Sequence, residues 1–168
     1  MAPPLHSVSL VIPVYNERES LEPLMAEVLP VIRALGRPVE VVFVDDGSSD
    51  GSLEVLESLA AANAEVRVVV LRRNFGKGAA LMAGFRTATG DAVVTLDADL
   101  QDDPGEIPAM LALLEDGADL VSGWKADRRD PWTKRAASKV FNGVTNRLSG
   151  LALHDLNCGL KAYRAQVV

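Results

Sequence analysis

The sequence predicts an α/β fold: a mostly parallel sheet with helices on both faces. Three observations carry this. Short apolar, β-branched runs alternate with longer stretches of helical spacing all along the chain. The second such run, Val39–Val44, is almost wholly apolar, as a strand buried on both faces should be. Polar clusters follow the first four strands, where open α/β sheets keep their chemistry.

Ser7–Val14 opens the chain as a strand. Glu17–Leu35 has Leu21, Leu24, Met25, Val28, Leu29, Ile32 and Leu35 at helical spacing, with a kink or break expected near Pro30. Val39–Val44 is the second strand. Asp50–Ala62 is a helix with Leu53, Leu56 and Leu59 three apart. Val66–Leu71, the small-residue helix Gly78–Ala88 and the strand Ala92–Leu96 follow. Pro104–Glu115 is a helix with proline in its first turn, a favoured place. A short strand, Asp119–Ser122, and a helix, Trp132–Leu148, complete the series. No repeat or linker interrupts it, so residues 1–168 read as one domain with right-handed crossovers.

Composition narrows the function. One cysteine excludes a disulfide framework and a cysteine-built zinc site, and His6 and His154 are too few for a histidine-rich centre. No apolar run is long enough to span a bilayer, and the opening MAPPLHS lacks the pattern of a secretory signal, so a cytosolic setting is expected. The net charge is −6, unevenly placed: residues 1–60 hold 3 basic and 10 acidic side chains, 61–123 hold 5 and 10, and 124–168 hold 9 and 3. A basic segment closing an acidic chain suits a phosphate or an anionic membrane surface. Nucleic acid is disfavoured because only that stretch is basic.

Four clusters carry chemistry. Asp97-Ala98-Asp99 places two carboxylates two apart at a strand exit, near Asp102 and Asp103; a hard divalent cation with oxygen ligands suits such charge, as does a plain acidic turn capping the next helix. In Asp45-Asp46-Gly47-Ser48-Ser49-Asp50, Gly47 permits a tight turn and Ser49 or Asp50 can cap a helix. Asp45 and Asp46 remain for a nucleobase or a ribose. Gly76-Lys77-Gly78 is neither a Walker A loop nor a dinucleotide fingerprint; glycines and a lysine at a helix start allow close approach to phosphate, and equally suit a plain loop-to-helix transition. Lys125, Arg128, Arg129, Lys134, Arg135 and Lys139 form the basic cluster, flanked by Trp124 and Trp132, with Lys134 and Ser138 at helical spacing.

The runs VIPVYNE (11–17), VVFVDDGSSDGS (41–52), NFGKGAAL (74–81), TLDADLQDDP (95–104) and LNCGLKAYR (156–164) resemble glycosyltransferase family 2, whose fold is GT-A. DADLQDDP, the basic stretch with Ser138 and the closing CGLKAYR resemble its polyprenyl- or dolichyl-phosphate sugar transferase branch, similar to dolichyl-phosphate mannosyltransferase. That resemblance implies inverting transfer of mannose or glucose from a GDP- or UDP-sugar to a lipid phosphate, with Mg2+ or Mn2+. It implies that Pro13, Tyr15 and Glu17 border the base, that Asp46 recognises it and that Lys77 lies near the nucleotide. Asp97 and Asp99 would serve the ribose-diphosphate and the metal, with Gln101 a further ligand. Arg128, Lys134, Arg135 and Ser138 would hold the acceptor phosphate, and Asp155 matches a carboxylate near the acceptor. Members of the branch continue past the position of Val168 with more catalytic domain and membrane-facing helices, so the chain is expected to be cut short at its C-terminal end and its full-length form to meet the cytoplasmic face of a membrane.

A lipid phosphate is already anionic, so cations that relieve its repulsion from the donor matter more than a general base. A hydroxyl acceptor would need a base, with Asp155 the candidate. The alternatives are a family 2 transferase with a glycan or other hydroxyl acceptor, a nucleotidyltransferase, and a phosphoacceptor signalling domain. The second lacks its glycine-rich phosphate loop after the first strand; the third leaves Asp97, Asp99 and the basic segment unexplained.

Overall fold

A computed structural model of the chain describes residues 3–123 and 158–168. In chain order the elements are β1 (Val8–Val14), α1 (Arg18–Ala34), β2 (Val39–Asp45), α2 (Ser52–Ala62), β3 (Val66–Val70), α3 (Lys77–Thr87) and β4 (Ala92–Thr95). A 3-10 turn, Pro104–Glu106, leads into α4 (Ile107–Glu115), followed by β5 (Leu120–Ser122), β6 (Lys161–Arg164) and a closing turn, Ala165–Val167. The expected helix Trp132–Leu148 lies outside the described residues.

The six strands of the described residues form one sheet in the order β3-β2-β1-β4-β6-β5. β1 pairs in parallel with β2 and β4, and β2 with β3; β6 runs antiparallel to both β4 and β5. The period of two divides β1 between the two faces. Val8, Leu10, Ile12 and Val14 enter one core with Leu21, Leu24, Met25, Val28 and Ile32 of α1, Leu56 of α2 and Leu111 and Leu114 of α4. Val11 faces the other way, joining Val42, Val44, Val93 and Ala80 of α3. α3 approaches closely because Gly84 has no side chain: a Cβ there would lie 2.3 Å from Val11 Cγ1.

Two expectations are corrected. α1 does not end near Pro30 but runs through Pro23 and Pro30 to Ala34. Both prolines face solvent, while Val28 and Ile32 are fully buried on either side of the second, so packing holds the last turn where a backbone hydrogen bond is lost. The final strand, β6, has no counterpart in the sequence reading. Its inward positions are Ala162 and Arg164, and a buried arginine hides the apolar alternation. Arg164 reaches two main-chain carbonyls, donating from Nη2 to Leu114 O at 2.5 Å and from Nη1 to Pro3 O at 3.0 Å, while its buried Nε has no partner among the described residues. The first of these caps the carboxyl end of α4 with a cation. Tyr163, on the other face, meets Phe85 of α3 edge to face at 5.8 Å. No helix among the described residues is long and apolar enough to cross a membrane.

Candidate functional site

The parallel strands β1, β2 and β4 deliver their carboxyl ends to one edge, where a cleft of about 280 Å³ opens. Pro13, Tyr15 and Glu17 line it from the β1 exit, Asp46 from the β2 exit and Asp97 and Asp99 from the β4 exit. Asn74, Gly76, Lys77 and Ala80 close it from the β3–α3 side. Thus Pro13, Tyr15, Glu17, Asp46, Lys77, Asp97 and Asp99, the residues expected at a nucleotide, share one space.

The β1 and β2 exits brace each other. Asn16, in the left-handed region at φ 56°, accepts from Ser49 N–H at 2.8 Å and donates its own N–H to Ser48 Oγ at 3.0 Å. Glu17 N–H donates to Ser52 Oγ, and Arg18 N–H to Asp50 Oδ2. Asp50 also accepts from the hydroxyl of Ser52, the first residue of α2, at 2.6 Å and from its N–H at 3.0 Å. The Ser52 hydroxyl is the main reason its carboxyl is held below the usual carboxylate range.

Asp46 is nearly fully buried, and its two oxygens accept from Phe75 N–H and Gly76 N–H, both at 2.8 Å. These two amides, at the start of the glycine-lysine segment, already hold an anion, the protein's own carboxylate. Asp46 thereby fixes the β3–α3 loop while bordering the cleft. Asp45 turns inward instead and receives Ser48 N–H.

Lys77, the first residue of α3, crosses to β4. Its Nζ lies 2.6 Å from Asp97 Oδ1 and 2.8 Å from Asp97 Oδ2. Asp97 is held from two further sides. Its N–H donates to Asp102 Oδ2 at 3.2 Å, and its carboxylate lies against Gly159, where a Cβ would sit 2.3 Å from Asp97 Cγ. Gly159 is itself anchored, its carbonyl accepting from the buried Thr95 hydroxyl at 2.7 Å. Gly159 and Thr95 are site residues that residue-by-residue reading does not assign; the motif CGLKAYR is the one signal that could have marked the glycine. Asp99 is exposed, with Oδ1 accepting from Gln101 N–H at 3.1 Å.

Gln101 is not among the cleft residues. It lines an adjoining cavity of about 480 Å³ with Asp102, Asp103, Met110, Cys158 and Leu160. Asp103 accepts from Gly105 N–H at 2.7 Å and caps the 3-10 turn, as the structural reading of the acidic run anticipates. Arg128, Lys134, Arg135, Ser138 and Asp155 lie outside the described residues.

The donor set fits a hard cation. No group of three or more His, Cys, Asp and Glu side chains gathers at one point among the described residues. Two carboxylates facing an open cleft match Mg2+ or Mn2+, which keep water and complete their shell with a ligand's phosphates.

A family model described as Glycosyl transferase family 2 matches residues 9–168. Among solved structures, the chain is similar to glucosyl-3-phosphoglycerate synthase from Mycobacterium tuberculosis in complex with uridine-diphosphate: TM-score 0.73, 24% identity, over 96% of this chain and 58% of that one. The same enzyme in complex with Mn2+, uridine-diphosphate-glucose and phosphoglyceric acid also matches at TM-score 0.73 and 24% identity, over 96% and 57%. A mannosyltransferase from Pyrobaculum calidifontis in complex with GDP-Man and Mn2+ matches at TM-score 0.67 and 26% identity, over 95% of this chain and 44% of that one. The chain therefore spans about half the length of these relatives.

Proposed function

The chain belongs to glycosyl transferase family 2, and on that premise we propose that it moves mannose or glucose from a GDP- or UDP-sugar to a polyprenyl or dolichyl phosphate, with inversion at the anomeric carbon and a divalent cation bound. The observation that supports this best is the convergence of Asp46, Lys77, Asp97 and Asp99 on one cleft.

Pro13, Tyr15 and Glu17 flank the base, and Asp46 takes a hydrogen bond from it while keeping the β3–α3 loop in place. Lys77 donates to the diphosphate. Asp97 and Asp99 hold the ribose-diphosphate end; a Mg2+ or Mn2+ ion would be held by these carboxylates and would supply positive charge to the departing nucleoside diphosphate. An oxygen of the acceptor phosphate forms the new bond to the anomeric carbon on the face opposite the leaving group. The bond from that carbon to the donor phosphate breaks, and its electron pair leaves with the nucleotide. Arg128, Lys134, Arg135 and Ser138 hold the acceptor phosphate and offset its repulsion from the donor. A phosphate acceptor needs no proton removed, which leaves Asp155 as the base only for a hydroxyl acceptor. In this reading the transfer takes place at the cytoplasmic face of a membrane, where such a lipid resides.

The test is a product assay with GDP-mannose, UDP-glucose and their counterparts. The acceptor panel holds a polyprenyl phosphate, phosphoglyceric acid and a glycan. Sugar transfer to the polyprenyl phosphate alone is expected. Transfer to phosphoglyceric acid or the glycan instead would replace the lipid in this reading, and no transfer from any donor would overturn it. Reversing Arg128 and Arg135 to Glu should then abolish lipid glycosylation, most at low salt, and leave donor binding unchanged.

A further inference from the structure

The Lys77 ammonium already pairs with Asp97, one of the two carboxylates expected to hold a cation, and this bears on the order of binding. We propose that Lys77 is a resident counter-ion that makes cation binding at Asp97 and Asp99 conditional on a diphosphate. The proposal rests on the functional reading above and adds a second task for the lysine.

Both oxygens of Asp97 lie within 2.8 Å of the Lys77 ammonium. Asp97 cannot withdraw toward Gly159, which lies behind its carboxylate, and Asp102 holds the main-chain N–H from which the side chain projects. One oxygen of Asp99 receives Gln101 N–H. A divalent ion arriving alone therefore meets a carboxylate already neutralised and a like charge a few ångströms off. It must displace the ammonium or settle for Asp99.

A nucleoside diphosphate changes that balance. Its phosphates offer the ammonium new partners, and Lys77 can reach them, being half-exposed on a flexible four-carbon stem at the start of α3. As Lys77 turns to the diphosphate, Asp97 is released to the cation, which also gains phosphate oxygens. Cation and nucleotide then strengthen each other's binding by the same factor, as linkage requires. The device discriminates: it admits a cation that comes with its nucleotide and rejects one that comes alone.

Binding of Mn2+ to the full chain is measured without nucleotide, from the loss of the free-ion electron paramagnetic resonance signal, and again with saturating GDP or UDP. The parent should bind Mn2+ weakly alone and far more tightly with nucleotide. Lys77→Met should bind Mn2+ alone roughly ten-fold more tightly than the parent and gain much less from nucleotide. Lys77→Arg, which keeps the charge, should behave as the parent. Circular dichroism verifies that each variant is folded. A folded Lys77→Met that binds Mn2+ alone no better than the parent overturns the proposal and leaves the functional reading intact. A parent in which neither nucleotide promotes Mn2+ binding overturns the functional reading, and this proposal with it.

Discussion

Gly159→Ala should damage the site without damaging the fold. The glycine is not in the left-handed region, so alanine suits its backbone and the whole effect comes from the added carbon. That carbon would lie 2.3 Å from Asp97 Cγ and Oδ2, where ordinary contact begins at 3.4 Å. The carboxylate must retreat by about 1 Å, and the 2.6 Å ion pair with Lys77 stretches with it. A displacement of that size in a reacting array costs on the order of 10²-fold in rate. The fold should suffer little, about 1 kcal/mol, because Asp97 borders an open cleft and has room to yield. Urea unfolding measures the second quantity. Calorimetric titration with GDP and UDP, with and without Mn2+, measures binding, which should fall roughly ten-fold where Mn2+ is present. An alanine variant that is folded and keeps the parent's metal-dependent affinity would refute the idea that Gly159 sets the position of Asp97.

Asp99→Ala should abolish the Mn2+ enhancement of nucleotide binding while thermal stability stays at the parent value; enhancement of parental size would remove Asp99 from the metal site. Asp46→Ala should weaken nucleotide more than inorganic diphosphate, each lost charge-assisted bond being worth roughly 1.5–3 kcal/mol, and should speed amide exchange at Phe75 and Gly76; slow exchange there would show that the loop does not depend on the carboxylate. Burial pushes the Glu40 carboxyl up, but hydrogen bonds from Ser9, Thr89 and Arg67 outweigh it and hold it at about 2. Its folded value is depressed, so its stabilisation is complete above the usual range near 4.5 and is lost as pH falls toward 2. The melting-temperature gap between the parent and Glu40→Gln should accordingly close across that window, and a gap constant from pH 6 to 2 would exclude the linkage.

The central sheet was legible because Val39–Val44 and Ala92–Leu96 are runs that only a doubly covered strand accommodates. The cleft was legible because carboxylates directly after such strands have few structural reasons to be there. Pairings between distant segments were not. Lys77 with Asp97 and Asp46 with the Phe75 and Gly76 amides depend on how α3 is seated, and no local pattern encodes that. The strand at Lys161–Arg164 escaped for a different reason, since its inward arginine donates to main-chain carbonyls, one of them in α4, rather than making apolar contacts. Gly159 escaped because a glycine whose missing carbon leaves room for a residue 62 positions earlier looks, in sequence, like any loop glycine.

The place of β6 between β4 and β5 bears on how the molecule is made. Chain synthesis delivers Asp97 and the first five strands well before residue 161 exists. Until it does, β4 offers an open row of main-chain donors and acceptors, a hazard for intermolecular strand pairing. Gly159, the floor beneath Asp97, arrives with the same late segment. A nascent chain can therefore collapse around β1, β2 and β3 early, but its acidic cleft takes its final shape only when the last strand threads into the gap. Ribosome-bound chains stalled before and after that point should differ sharply in protease sensitivity at β4 and little at β2.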